Sequence, residues 1–167
     1  MNTISCMVFD VDGVLTDGGI SISDSGDEIK TFNSRDGHGM KLLMRMGIEV
    51  VILTGRSSKV VEYRARELGI THVIQGAKDK RDALLDLAER IGIEPSSMAY
   101  MGDDVVDLPA MALCSLTFAP ADAVAMVRER VDVVTTLPGG RGAAREAIEV
   151  LLKRLGLFDK VMERYAE

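Results

Sequence analysis

Ile4-Ser5-Cys6-Met7-Val8-Phe9-Asp10-Val11-Asp12-Gly13-Val14-Leu15-Thr16-Asp17 is the stretch on which the fold turns. A short apolar run closed by acids and a glycine reads as a buried strand of a parallel sheet. Such sheets bind ligands beyond their carboxyl ends, and Asp10 and Asp12 stand at that end. Residues two apart lie on the same side of an extended chain, so both carboxylates can face one point. Close anions repel, and a divalent cation is the usual remedy. A strand followed by an ordinary acidic turn would use the same residue types, so the elements downstream decide between the two readings.

Working outward, residues 18–32 alternate in a β manner. Ile20 and Ile22 lie two apart, Ser23-Asp24-Ser25-Gly26 supplies a turn, and residues 29–32 extend again. This predicts a β-hairpin inserted between the first strand and the first helix, placed to cover a site or to form a subunit contact. Beyond it the order is regular. Helical periodicity spans residues 37–46, a buried strand 50–53, and a helix 57–68 with Ser57 or Ser58 as its N-cap. A strand at 72–74 precedes a helix over 79–91 whose Ala83, Leu84, Leu87, Ala88 and Ile91 share one face. A strand at 98–101 precedes a short helix ending near Leu113. Strands at 115–118 and 132–134 flank a helix at 122–130, and residues 142–155 form a closing amphipathic helix. Strands alternating with helices of this length predict an α/β fold, a doubly wound and mostly parallel sheet. The last residues, 156–167, are expected either to fray or to dock on a neighbour.

The chain has 167 residues, 47% of them hydrophobic, which suffices for a single domain over 1–167 with a full core. A net charge of −6 argues against a nucleic-acid or membrane-surface role. Any attraction for an anionic substrate must therefore be local. Cys6 and Cys114 read as small buried hydrophobes and not as a disulfide framework. With neither a leader-like segment nor a membrane span legible, a cytoplasmic protein is expected.

Three more elements fall at strand ends or in the loops beyond them. Thr54-Gly55-Arg56 follows a strand and precedes a helix, so the Thr54 hydroxyl and nearby backbone N–H groups can hold phosphate oxygens; a capping Thr before a turn is the plainer alternative. Lys80 opens a helix, where a cation is unfavourable unless something anionic compensates. Gly102-Asp103-Asp104-Val105-Val106-Asp107 is a second acidic cluster. Asp103 can complete a metal shell there, with Asp104 and Asp107 in supporting or capping roles.

The series Asp10-x-Asp12-Gly13-Val14-x-Thr16, Thr54-Gly55-Arg56, Lys80 and Gly102-Asp103-Asp104-x-x-Asp107 resembles the haloacid dehalogenase superfamily of phosphohydrolases. Further stretches narrow the resemblance to its 3-deoxy-D-manno-octulosonate 8-phosphate phosphatase group: Phe32-Asn33-Ser34-Arg35-Asp36-Gly37, Leu53 to Ser58 with Arg64, Leu68 to His72, Gln75-Gly76 and Gly139-Gly140-Arg141-Gly142. The resemblance implies a Rossmann-like fold without a cap domain and a homotetramer whose hairpins and neighbouring subunits close the sites. It also implies Mg²⁺ held by Asp10, the Asp12 backbone carbonyl and Asp103. Asp10 is then the nucleophile, Asp12 the general acid/base, and Thr54 and Lys80 the phosphoryl clamps. Substrate contacts are implied at Asp12, at Asn33, Ser34, Arg35, Asp36 and Gly37, and at Lys41, Gly55, Arg56, Arg64 and Lys80. The substrate class is a sugar-acid phosphate of lipopolysaccharide precursor synthesis. His38 is given no role.

Two rivals stand beside this reading. A phosphatase of a nine-carbon keto-sugar acid 9-phosphate would share the motifs. A receiver-like switch domain also combines acids, a Thr and a Lys on a doubly wound sheet, but its phosphoacceptor Asp would follow a mid-chain strand, and residues 50–53 run directly into Thr54.

Overall fold

The computed structural model describes residues 3–166. Its first strand, β1 (Cys6–Phe9), is wholly buried. Alternation sends Met7 and Phe9 into the core on one face of the sheet and Cys6 and Val8 into the core on the other. Two short strands, β2 (Ser21–Ile22) and β3 (Glu28–Ile29), then pair antiparallel with Ile22 opposite Glu28. Next come α1 (Ser34–Arg45), β4 (Glu49–Leu53), α2 (Lys59–Leu68), β5 (His72–Ile74) and α3 (Lys80–Ile91). The chain continues through β6 (Met98–Met101), α4 (Leu108–Met111), β7 (Leu116–Ala119), α5 (Ala125–Arg128), β8 (Val133–Val134), α6 (Ala143–Arg154) and α7 (Phe158–Met162).

Six strands form one sheet in the order β5-β4-β1-β6-β7-β8, every neighbouring pair parallel. From β1 the chain runs out through β4 to β5, crosses back along α3, and builds the other half from β6 to β8. The reversal therefore falls beside β1, where doubly wound sheets open a crevice at their carboxyl ends. Phe9 is in register with both Ile52 and Met101. At about 4.8 Å between strands, the loops after β1, β4 and β6 are forced together, and these loops carry the three motifs.

Two expectations are revised. The first helix begins at Ser34, three residues earlier than periodicity indicated, because Asn33 caps it by accepting from the Arg35 N–H at 2.8 Å. Gly37 and Gly39 weaken the helical signal but permit close packing. A Cβ on Gly39 would lie 3.0 Å from Ile148 Cδ1 of α6, and one on Gly37 would lie 2.3 Å from Arg64 Nη2 of α2. The described part of the C-terminal stretch does not fray: α7 buries Val161 and packs on α6 of its own chain.

Candidate active site

Asp10 leaves the last turn of β1 buried. Its Oδ1 accepts from the Val11 N–H at 2.7 Å and its Oδ2 meets the Lys80 ammonium at 2.9 Å. The loop that follows is folded by Thr16, whose hydroxyl accepts from the N–H groups of Gly13 and Gly18 at 3.3 and 3.2 Å. Gly13 has φ +86°, and a Cβ there would lie 1.9 Å from Asp103 Oδ2. Only glycine lets the β1 loop come that close to the β6 loop. The Gly139-Gly140 turn presses on the same loop, with the Gly140 N–H donating to the Val14 carbonyl at 3.0 Å.

Lys80 is the compensated helix-start cation anticipated above. Its Nζ bridges Asp10 Oδ2 at 2.9 Å and Asp107 Oδ1 at 2.6 Å. Burial pushes this ammonium's pKa down, but the two carboxylates outweigh it, and the net direction is up. Asp107 is completely buried and its oxygens are fully engaged. Oδ1 accepts from Lys80 and from the Tyr100 hydroxyl at 2.9 Å, and Oδ2 from the N–H groups of Asp103 and Asp104 at 3.1 and 3.3 Å. Asp104 caps the 3-10 turn over Val105–Asp107, accepting from the Val105 N–H at 2.7 Å. Asp107 thus fixes both the lysine and the loop that carries Asp103.

Asp10, Asp103 and Asp107 each bring a carboxylate oxygen within 4.8 Å of the other two. With Asp107 saturated by protein donors, Asp10 and Asp103 are the oxygens available to a cation. Burial, and behind it the neighbouring carboxylates, raises Asp10 to about 6 and Asp103 to about 7. This concentration of negative charge is a site that a hard divalent cation fits. Thr54 is buried beside it, its loop tied down by the Ala77 N–H donating to the Thr54 carbonyl at 3.1 Å.

The cleft at the carboxyl edge of the sheet is lined by Asp10, Asp12, Thr54, Gly55, Arg56, Lys80, Asp103 and Asp104, with Lys78, Ala77, Gly18 and Val106. The remaining expected substrate contacts lie elsewhere. Asn33, Asp36, Gly37 and Arg64 line a small, largely apolar cavity where α1 meets α2, Ser34 and Arg35 are exposed in the first turn of α1, and Lys41 follows on the same helix. Asp36 is 2% exposed, and its Oδ1 accepts from the Arg145 N–H at 2.9 Å in the first turn of α6. Arg64 bonds Glu67 at 2.8 Å and stands over the Phe32 ring. Lys30 and Glu28 went unnoticed in the sequence. The Lys30 ammonium reaches Asp12 Oδ1 at 2.5 Å and Glu28 Oε1 at 3.1 Å, and Glu28 Oε1 also accepts from Arg56 at 3.0 Å. Their i,i+2 spacing in an alternating stretch was the available signal.

A model of the haloacid dehalogenase-like hydrolases matches residues 26–114. The chain belongs to that family. Among its haloacid dehalogenase-like relatives, the 3-deoxy-D-manno-octulosonate 8-phosphate phosphatase KdsC of Escherichia coli K12 is 46% identical over 157 residues, 94% of this chain and 84% of that protein. A crystal structure of a probable YrbI family phosphatase from Pseudomonas syringae superposes with a TM-score of 0.96 at 42% identity, covering 99% of this chain and 94% of that one. The 3-deoxy-D-manno-octulosonate 8-phosphate phosphatase of Moraxella catarrhalis, solved with a magnesium ion, a phosphate ion and a KDO molecule, superposes with a TM-score of 0.94 at 42% identity. That match covers 97% of this chain and 93% of the Moraxella chain.

Proposed function

We propose that this chain is a Mg²⁺-dependent phosphomonoesterase that hydrolyses 3-deoxy-D-manno-octulosonate 8-phosphate to the free sugar acid and phosphate. The observation that carries the reading is the convergence of Asp10, Asp103 and the Asp107-held Lys80 on one cleft, whose lining also brings Arg56 and Lys78 to the acidic cluster. The kinship with KdsC proteins supports the choice of substrate.

Asp10 and Asp103, with the Asp12 backbone carbonyl, would hold the Mg²⁺, which supplies charge neutralisation for the phosphoryl oxygens. Asp10 attacks phosphorus in line, forming an aspartyl-phosphate as the bond to the sugar oxygen breaks. Asp12 protonates that departing oxygen, then takes a proton from the water that cleaves the acyl phosphate. Thr54 and Lys80 hold the phosphoryl oxygens, and Lys80 keeps Asp10 aimed by sharing Asp10 and Asp107.

Recognition of the sugar acid falls in this reading to Gly55 and Arg56 in the cleft, and to Asn33, Ser34, Arg35, Gly37, Lys41 and Arg64 on α1, its cap and α2, while the buried Asp36 holds α1 to α6 beneath them. Because the latter set lies outside the protomer's own cleft, it would act across an assembly. We take that assembly to be a homotetramer built on the hairpin over 18–32, where Ile22 and Ile29 are each 62% exposed. Among the described residues no helix is long and apolar enough to cross a membrane. Both cysteines are unpaired, in keeping with a cytoplasmic setting. Phosphate release from the eight-carbon ester, compared with a nine-carbon keto-sugar acid 9-phosphate under the same conditions, tests the proposal. A preference of about tenfold or more in kcat/KM for the eight-carbon ester is expected, and the reverse preference would transfer the assignment to the longer sugar.

A further inference from the structure

Lys30 is a lysine whose side chain is 1% exposed, although it lies in the loop just beyond β3, a two-residue strand at the surface. Lysine is almost never fully buried unless paired, and the partners here are specific. Its ammonium lies 2.5 Å from Asp12 Oδ1 and 3.1 Å from Glu28 Oε1. The other Asp12 oxygen, Oδ2, faces Arg56 Nε at 3.8 Å, and Glu28 Oε1 returns to Arg56 Nη2 at 3.0 Å. Asp12, Lys30, Glu28 and Arg56 thus close a ring of alternating charge at the mouth of the cleft. The ring draws on three segments: the end of β1, the hairpin, and the turn after β4. Asp107 and Lys80 lock the nucleophile from below, and nothing in that lower network touches the Asp12 side chain.

We infer that Lys30, steadied by Glu28, is a positioning residue that sets the orientation of the Asp12 carboxyl group for proton transfer to the departing oxygen. The inference rests on the phosphomonoesterase reading. Asp12 extends from a loop, and its carboxyl group has two faces to present. A short ion pair on Oδ1 leaves Oδ2 as the oxygen turned toward Arg56 and the cleft, on the side where the departing oxygen would lie. When the phosphorus–oxygen bond to the alcohol breaks, the departing oxygen takes the carboxyl proton and Asp12 is left anionic. The charge is then balanced by the Lys30 ammonium already beside it. Without Lys30 only the longer 3.8 Å contact from Arg56 restrains the carboxyl group, and the productive orientation becomes one of several. The hairpin is thereby coupled to the chemistry, beyond any covering role.

The experiment follows the first turnover of the Mg²⁺-loaded full-length enzyme by rapid quench, measuring leaving-group release and so excluding the later hydrolysis of the acyl phosphate. Two esters are compared: the sugar acid phosphate, whose alkoxide needs a proton, and p-nitrophenyl phosphate, whose phenolate does not. For Lys30→Met the alkyl ester should slow roughly 10- to 100-fold with KM within about twofold, while the aryl ester slows less than about threefold. Lys30→Arg should recover part of the loss, and Glu28→Gln should show the same selectivity more weakly. Equal losses on both esters, a change confined to KM, or no change would overturn the inference. If Lys30→Met does not fold, Lys30→Arg and Glu28→Gln carry the comparison alone, and equal effects on the two esters would be as decisive. A wild-type enzyme that cleaves the aryl ester and not the sugar acid phosphate would count against the substrate proposal only, and glycerol 1-phosphate then serves as the alkyl ester. Cleavage of neither would count against the phosphatase reading itself.

Discussion

Two buried aspartates a few ångströms apart have opposite roles because their oxygens are differently occupied. Asp107 has four protein donors on two oxygens, whereas Asp10 has Val11 N–H and Lys80 and faces the cleft. Asp10→Asn should therefore abolish phosphate release while leaving the urea midpoint close to that of wild type, since the amide keeps its volume and Lys80 keeps Asp107. Asp107→Ala should cost about 3–5 kcal/mol, as expected when one partner of a buried charge pair is removed, and urea unfolding measures it. Protons and a cation compete for Asp10 and Asp103. Burial and mutual repulsion raise these groups to about 6 and about 7 in the folded protein, above the unfolded value of about 4. Protonation thus favours the fold. Their contribution without metal is fully present below about pH 4 and is lost as the pH rises through 6 and 7. Mg²⁺ takes the protons' place, so at fixed Mg²⁺ the rise in Tm should be larger near about pH 8 than near about pH 5.5. A pH-independent rise would show that these two carboxylates do not hold the ion.

At the scale of elements, α6 begins with Gly142, which has no side chain to cap it, and Asp36 from α1 supplies the missing acceptor at Arg145 N–H. One carboxylate thereby ties two helices on the same face of the sheet. Asp36→Ala should destabilise the protein by about 0.5–2 kcal/mol, the worth of an N-cap, and leave KM for the sugar acid phosphate within about twofold. Thermal unfolding together with steady-state kinetics separates this from direct recognition, in which case KM would rise with little change in Tm. The double use of Asp36 was not legible in the sequence. It stands 109 positions from its partner, and no local pattern signals a cap lent by another helix. The same holds for Asp107, whose capping spacing from Asp104 was visible while its contacts with Lys80 and Tyr100 depend on the sheet. By contrast, β6 was readable because all four of its residues are buried between two covered faces, and α3 because Leu84, Leu87 and Ala88 fall on one buried helical face.

For the whole molecule, topology explains why three motifs separated by some forty residues each could be read as one site. β4 and β6 flank β1 on either side, so any residues just past their ends must meet. What the protomer does not explain is its own surface. Ile20, Ile22 and Ile29 are exposed on a hairpin of two-residue strands, too small to be stable alone in water, yet the hairpin delivers Lys30 to Asp12. Association of hairpins from several copies would bury those isoleucines and hold Lys30 in place, at roughly 1.5–3 kcal/mol for each side chain fully covered. Light scattering should accordingly find an assembly larger than a monomer, and Ile22→Asp with Ile29→Asp should dissociate it, because charges would have to be buried to reform the contact. The dissociated variant should lose more kcat/KM on the sugar acid phosphate than on p-nitrophenyl phosphate, since the α1 and α2 side chains proposed to recognise the sugar acid could no longer reach a neighbouring cleft. A wild-type chain that is monomeric and fully active on the sugar acid phosphate would refute the assembly and require those contacts to be made within one protomer.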